Sequence, residues 1–217
     1  MSKVGVVLSG CGVNDGSEIH ESVITMLELD KAGADMVLMA PNIDQLHVIN
    51  HATGDEMDDS RNVLVESARI ARGNIKDVAE ITSDDLDALI FPGGFGVAKN
   101  LSDYAMAGAE CSINPDVQRI SKEIHNDGKP IGVICIAPAM MAQILGEKTE
   151  LTIGFDDQTA IDINTMGAKH ITCPVEEIVI DEDKKVVSTP AYMEANSIKE
   201  AAEGIQKLVE QVLQMAK

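Results

Sequence analysis

Aromatic residues are scarce in this sequence: Phe, Tyr and Trp make up only 2% of it, and tryptophan is absent. A hydrophobic core must therefore be built from aliphatic side chains, alanine and the 11 methionines. Hydrophobic residues still account for 45% of the 217 positions, which is enough apolar surface for a full core. Because this length suits one α/β domain, we predict a single domain over residues 1–217.

Basic residues are also few, since 17 Lys and Arg stand against 36 Asp and Glu, giving a net charge of −19. Phosphate backbones and anionic headgroups are bound mainly by Lys and Arg. We therefore expect no nucleic-acid partner and no membrane partner. No apolar run reaches transmembrane length, and MSK leads directly into the apolar run VGVVL without the features of an export signal.

The four cysteines, at positions 11, 111, 135 and 173, form no C-x-x-C pair and no disulfide-rich pattern. Reduced thiols are the default interpretation of such spacing, and we therefore expect a cytoplasmic location. Cys111 and Cys173 have no chemical partners visible in the sequence, so we interpret both as packing residues.

Apolar runs alternate with segments of 3.6-residue periodicity, which is typical of a parallel sheet covered by helices. Strands are predicted at 3–9, 35–40, 87–94 and 130–135, and helices after 17, from 114 to 125 and from 195 to 216. EIVIDEDKKVVSTPA predicts two strands about a charged turn. Between 42 and 82, VIN and IKDVAEI are predicted as short strands and NVLVESARIA as a helix. The predicted fold is a three-layer α/β fold with a mostly parallel, flavodoxin-like sheet and helices on both faces.

Cys135 stands at a strand-to-helix junction within PIGVICIAPAMM. If it lies on the turn itself, the next helix directs its amides and positive dipole end at the sulfur, which favours the thiolate. Such a turn would resemble a nucleophile elbow. The alternative is a buried cysteine that serves as a small apolar side chain in a strand.

Two other loops should reach the same edge of the sheet, because the carboxyl ends of parallel strands converge there. Gly93 and Gly94 of PGGFG, together with Ile136, would offer backbone amides to an oxyanion, although glycines also simply form turns. Glu18, predicted in the first turn of the first helix, would face the same crevice, or would be an ordinary carboxylate at a helix start. Cys11 is a candidate second thiol or a structural loop residue.

Two further patterns predict no ligand. Glycines at 10, 12 and 16 approach a dinucleotide fingerprint, but strand two ends in APN rather than in an acidic ribose partner. His47 and His51 have i, i+4 spacing without a visible third ligand. We therefore predict no metal and no cofactor.

Three features resemble the ThiJ/PfpI superfamily, whose fold is class I glutamine amidotransferase-like. They are the motif PGGFGVAKNL, a later strand that ends in a cysteine followed by x-A-P, and a Glu after a Gly-rich loop. Seven segments are similar to the ElbB type of this superfamily: SGCGVNDGSEIHE, HVINHATGDEM, ESARIARG, PGGFGVAKNLSDYA, VICIAPAM, LTIG and STPAYM. That type is described as a cofactor-free glyoxalase and as an isoprenoid-biosynthesis-associated protein. The resemblance, which runs nearly end to end, implies Cys135 as nucleophile, Glu18 as its carboxylate partner, and a homodimer.

The sequence departs from the superfamily at one point. Hydrolytic relatives place a histidine shortly after the helix that follows the nucleophile, but LTIGFDDQT contains none. His125 and His170 are interpreted as structural, and His20, two positions from Glu18, should face away from it on a helix. Amide hydrolysis thereby loses its proton donor, whereas a 2-oxoaldehyde requires less.

We therefore predict a glyoxalase III-like hydro-lyase that converts glyoxal or methylglyoxal into a 2-hydroxy acid. Cys135 would form a hemithioacetal and Glu18 would shuttle the proton. One alternative is a non-catalytic redox sensor or partner-binding module in which an acidified Cys135 is oxidised. Another is an amidase.

Overall fold

The computed structural model describes residues 2–217 of the chain. The strands are β1 (Lys3–Val7), β2 (Asp35–Ala40), β3 (Lys76–Asp77), β4 (Ala88–Phe91), β5 (Ile131–Ile134), β6 (Glu150–Leu151), β7 (Lys169–His170), β8 (Val179–Asp181) and β9 (Val186–Thr189). The helices are α1 (Ile19–Lys31), α2 (Val63–Ile70), α3 (Tyr104–Ala107), α4 (Pro115–Asn126), α5 (Ala137–Leu145), α6 (Asp157–Thr165) and α7 (Ile198–Met215).

Seven strands form one sheet in the order β3-β2-β1-β4-β5-β9-β8. All neighbours in this sheet are parallel except β8 and β9, the two strands predicted about a charged turn, which are antiparallel. β6 and β7 make a separate, short parallel pair. The predicted mostly parallel, flavodoxin-like α/β sheet is thus confirmed.

Alternation along the strands divides the core between the two faces of the sheet. Val4 and Val6 of β1 pack in one cluster with α1 and α7, whereas Val7 packs in the other with α4 and α5. Both clusters are built mainly from aliphatic side chains and alanine, as the scarcity of aromatic residues requires. Among residues 2–217, no helix combines the length and the apolar character needed to cross a membrane.

The irregular segment between β2 and β4 contains less strand than predicted. VIN contributes only an isolated bridge between Ile49 and Glu56. In IKDVAEI only Lys76–Asp77 is a strand, because the Asp77 side chain accepts the Ala79 N–H at 3.0 Å and so begins a 3₁₀ turn. The helix predicted in NVLVESARIA is confirmed as α2.

Leu208 tests the contribution of the α7 face of the core. It is fully buried, and its methyl group lies where any side chain on Gly132 of β5 would be. We expect Leu208→Ala to lower the free energy of unfolding by about 2–5 kcal/mol, because a cavity replaces the lost methyl groups. Denaturant unfolding measures this. The control is Leu27→Ala, where the leucine is 47% exposed, and a similar loss in both variants would contradict the assignment.

Candidate active site

Cys135 lies on the turn between β5 and α5, and belongs to neither element. Its φ is +61°, in the left-handed region, which costs a residue other than glycine about 1–3 kcal/mol. The turn is held by the Cys135 N–H, which donates to the Thr189 carbonyl at the end of β9 at 3.0 Å. The sharp turn predicted at this junction is therefore present. The role of its sulfur stays a prediction.

The Cys135 sulfur is surrounded by two backbone amides and one carboxyl. The backbone amides of Gly94 and Ile136 lie close enough to lower its pKa, and the Glu21 carboxyl lies against it. Burial, and then the negative charge of Glu21, raise the pKa of Cys135 well above its ordinary value, although the two amides act in the opposite direction. The expectation of an acidified thiol is therefore wrong, because the side chain loses more solvation than the helix start returns.

Glu21 of α1 is fully buried beside the thiol. Its Oε2 accepts the Gly93 N–H at 2.8 Å, and its Oε1 accepts the Tyr192 N–H at 3.1 Å. Burial raises the pKa of Glu21 to about 8, and the charge of Glu18 acts in the same direction. A carboxyl with such a pKa can hold or release a proton near neutral pH. We call Cys135 and Glu21 the buried pair.

Glu18, the carboxylate predicted to partner Cys135, occupies a different place. It is the N-cap of α1 rather than a residue of its first turn, and its Oε2 accepts the Glu21 N–H at 2.7 Å. The carboxyl in contact with the sulfur is that of Glu21, which the sequence reasoning missed. One signal was available: Glu21 stands three and four residues before Ile24 and Thr25, so it shares the buried face of the helix.

The three amides predicted to bind an oxyanion are divided between two tasks. The Gly93 N–H is bonded to Glu21, so only those of Gly94 and Ile136 are directed at the sulfur. Gly93 has no space for a side chain, since a Cβ there would overlap Cys135 and lie 2.6 Å from Glu21 Oε2. The glycine is therefore required by the close approach of the buried pair.

A cavity of about 450 Å³ opens at this edge of the sheet. Its lining residues come from the loops after β1, β4, β5 and β9 and from α3 and α6: Val13, Glu18, Gly94, Phe95, Ala98, Tyr104, Ala105, Cys135, Ile136, Thr159, Tyr192 and Met193. Cys135 and Glu18 thus face the same space. The loop after β9, with Tyr192 and Met193, was not predicted to contribute.

His20 lies close to Glu18, contrary to the prediction that it faces away. Its Nδ1 is hydrogen-bonded to the Tyr192 hydroxyl at 2.8 Å and lies 3.9 Å from Glu18 Oε1. The prediction assumed helical geometry at Glu18, but the backbone there is extended, with φ −65° and ψ 120°. The two side chains can therefore meet at the rim of the cavity.

Cys11 is not among the residues that line the cavity, which favours the structural loop residue over the second thiol. Burial and the charges of Glu66 and Asp15 raise the pKa of Cys11, while Arg69 lowers it. Two of these neighbours, Glu66 and Arg69, belong to α2, so Cys11 lies close to that helix. Of the residues in the loop after β1, Val13 and Glu18 line the cavity.

Two of the remaining histidines accept backbone hydrogen bonds, and the two remaining cysteines are buried. His170 Nε2 accepts the Ile153 N–H at 3.4 Å, and His51 Nε2 accepts the Asn14 N–H at 3.1 Å. Cys111 and Cys173 are both buried. Across residues 2–217, no three His, Cys, Asp or Glu side chains are grouped closely enough to hold a metal ion.

The open, mostly parallel sheet, with a cysteine on a strained turn after a central strand, is the arrangement of an α/β protein whose site lies at the carboxyl ends of the strands. The chain belongs to the DJ-1/PfpI family, whose model matches residues 11–191. It is 38% identical, with a TM-score of 0.94 over 100% of both chains, to an isoprenoid biosynthesis protein with an amidotransferase-like domain from Ehrlichia chaffeensis.

Two curated relatives are longer than this chain. The human glutamine amidotransferase-like class 1 domain-containing protein 3, mitochondrial, is 45% identical over 99% of this chain and 83% of its own length. The rat ES1 protein homolog, mitochondrial, is 43% identical over 99% of this chain and 84% of its own. These names point to mitochondria, so the expectation of a cytoplasmic location is wrong. Unpaired cysteines indicate only a reducing environment, which the cytoplasm shares with other compartments.

Glu21 should make stability depend on pH. Its folded-state pKa, about 8, lies above the ordinary value of 4.5, so the folded state keeps a proton that the unfolded state has lost. The stability from this proton is fully present below about pH 4.5 and is lost as the pH rises through about 8. We expect Glu21→Gln to lack this decline, so that the unfolding temperature of the wild type falls relative to that of the variant from pH 5 to pH 9.

The control for this measurement is Glu203→Gln, on the exposed part of α7, where the glutamate lies 3.7 Å from Lys199. Its unfolding temperature should stay parallel to that of the wild type across the same range. A Glu21→Gln curve that is also parallel to the wild type would show that Glu21 has an ordinary pKa.

Proposed function

We propose that this protein converts 2-oxoaldehydes, including glyoxal and methylglyoxal, into 2-hydroxy acids through a hemithioacetal on Cys135. The observation that carries the proposal is the arrangement of two carboxyls around one thiol. Glu21 lies against the sulfur and is buried, whereas Glu18 lines the cavity. Different environments allow the two groups to carry out different proton transfers.

In the first step, the sulfur attacks the aldehyde carbon C1. The S–C1 bond forms, the C1–O π bond breaks, and the thiol proton passes to the Glu21 carboxylate. The N–H groups of Gly94 and Ile136, which lie beside the sulfur, would donate to the new oxyanion. A proton from solvent then completes the hemithioacetal. Glu21 suits this step because its pKa of about 8 lies close to neutral pH.

In the second step, Glu18 removes the proton on C1 while the C2 oxygen takes a proton from solvent, which gives an enediol. Glu18 then returns its proton to C2, and the C1 hydroxyl releases its proton to solvent as the thioester carbonyl forms. C1 is oxidised and C2 is reduced within one molecule, so no external oxidant or reductant is consumed. Water then attacks the resulting thioester: its hydroxyl stays on C1, its other proton goes to solvent, the S–C1 bond breaks, and the sulfur recovers its proton from Glu21. The product is the 2-hydroxy acid.

The surroundings of Cys135 favour this chemistry over the two alternatives. Among the described residues that line the cavity there is no histidine to protonate a leaving amine, which disfavours an amidase. A redox sensor requires a thiol that is accessible and readily ionised, but Cys135 is 8% exposed and its pKa is raised.

Methylglyoxal with the purified protein tests the proposal. We expect lactate without added glutathione, no activity in Cys135→Ser, and a loss of about 10²–10⁴-fold in Glu18→Gln, because general acid–base catalysis contributes on this scale. Glu28→Gln is the control on the same helix, since Glu28 is paired with Lys31 at 2.8 Å. Lactate formation that persists in Cys135→Ser would overturn the mechanism.

The pH dependence tests the role of Glu21 separately. As a base, Glu21 must be ionised, so kcat/KM should rise with pH and level off above about 8. Glu21→Gln should be slow at every pH and should lack this rise. A pH-dependent rise with the same midpoint in the variant would show that another group is responsible for it. A peroxide-dependent mass gain at Cys135 without turnover of methylglyoxal would support the redox-sensor alternative.

A further inference from the structure

We propose that the preferred substrates of this site are neutral carbonyl compounds with an apolar tail. This inference rests on the proposed function and specifies its substrate class. It follows from three properties of the cavity: its volume, the chemistry of its wall and the sign of its charge.

The cavity is much larger than the smallest 2-oxoaldehydes. Its volume of about 450 Å³ lies within the range of about 300–1,000 Å³ typical of pockets for larger ligands. Methylglyoxal has the size of a few water molecules, each of which occupies about 30 Å³ in the liquid. With its reactive carbon at Cys135, such a substrate would leave most of the space unfilled.

The wall away from Cys135 and Glu18 is mainly apolar. Val13, Phe95, Ala98 and Met193 contribute hydrocarbon or sulfur-containing side chains. The two tyrosines offer their rings more than their hydroxyls: the Tyr104 hydroxyl donates to Asp162 at 2.8 Å, and the Tyr192 hydroxyl is bonded to His20 at 2.8 Å. A hydrocarbon tail would leave water for this surface, which favours binding by up to about fourfold per methylene group.

Charge excludes an anionic tail. Glu18 is the acidic group in the wall, and no Lys, Arg or His is among the lining residues of the described chain. Lys99 is not among the lining residues: its Nζ donates to the Asn14 carbonyl at 2.9 Å and lies 5.5 Å from the Phe95 ring centroid. The net charge of −19 adds long-range repulsion. A carboxylate or phosphate on the substrate would therefore find no cationic side chain in the wall, and His20 at the rim is already bonded to Tyr192 and lies 3.9 Å from Glu18 Oε1.

Alkylation of Cys135 by maleimides tests the pocket without requiring turnover. The probes are N-ethylmaleimide, N-hexylmaleimide and a maleimide with a carboxylate at the end of a six-carbon chain. Each rate is measured at pH 8.5, divided by the rate with glutathione, and corrected for the other thiols with Cys135→Ser. We expect the hexyl probe to react at least about tenfold faster than the ethyl probe, and the carboxylated probe more slowly than the hexyl probe.

Ala105→Phe and Ala107→Phe form the matched pair of variants. Both alanines are exposed on α3, so neither change disturbs the core, but only Ala105 lines the cavity. Ala105→Phe should remove most of the advantage of the hexyl probe over the ethyl probe. Ala107→Phe should alter neither rate.

The outcomes separate this inference from the proposed function. Equal rates for ethyl and hexyl probes, or a faster carboxylated probe, would overturn the inference even if methylglyoxal is converted to lactate. A strong preference for the hexyl probe, together with no turnover of methylglyoxal or hexylglyoxal, would overturn the proposed function and leave an apolar binding site at Cys135. If the inference and the proposed function are both correct, kcat/KM for hexylglyoxal should exceed that for methylglyoxal.

Discussion

The site depends on the burial of a carboxyl against a thiol. Removing a charge from water is costly, and two negative charges in contact would be more costly still, so both groups of the buried pair have raised pKa values. Backbone N–H groups compensate in part: those of Gly93 and Tyr192 donate to the carboxyl, and those of Gly94 and Ile136 act to lower the pKa of the thiol. The pair is thereby suited to carry one negative charge at a time. A proton that moves between its two members is the elementary event on which the proposed chemistry rests.

The topology of the sheet explains why these two side chains meet. The chain proceeds from β1 through β2 to β3 on one side and then returns through β4 to β5 on the other, and ligand sites in such folds lie where the direction reverses. α1 starts directly above this point and delivers Glu21, while the turn after β5 delivers Cys135. The loop after β4 is bonded to the start of α1, since the Gly93 carbonyl accepts the Glu18 N–H at 2.9 Å.

Much of this arrangement is predictable from the sequence, and the limits have identifiable causes. Buried strands read as continuous apolar runs, and a cysteine followed by small residues and a proline predicts the turn. The choice between Glu18 and Glu21 was not predictable in the same way, because it depends on where α1 begins, and a shift of one residue turns a helical side chain by about 100°. The sign of the Cys135 pKa shift depends on how deeply the folded chain buries the thiol. Residues distant in sequence contribute to this surrounding, among them Tyr192 and Met193, which share the cavity wall with Cys135. No local sequence pattern predicts this.

A thiol that is protonated at rest has a consequence for how the site would work. An exposed thiolate reacts with any oxidant or electrophile that reaches it, whereas a buried thiol paired with a carboxyl reacts only when the proton can move to its neighbour. An apolar tail that fills the cavity would exclude water and strengthen the bonds from the Gly94 and Ile136 amides to the developing oxyanion. Burial would then act in two directions: it suppresses ionisation of Cys135 in the empty site, and it favours transfer of charge from sulfur to a bound carbonyl. The raised pKa of the thiol is on this account a source of selectivity rather than an obstacle to reaction.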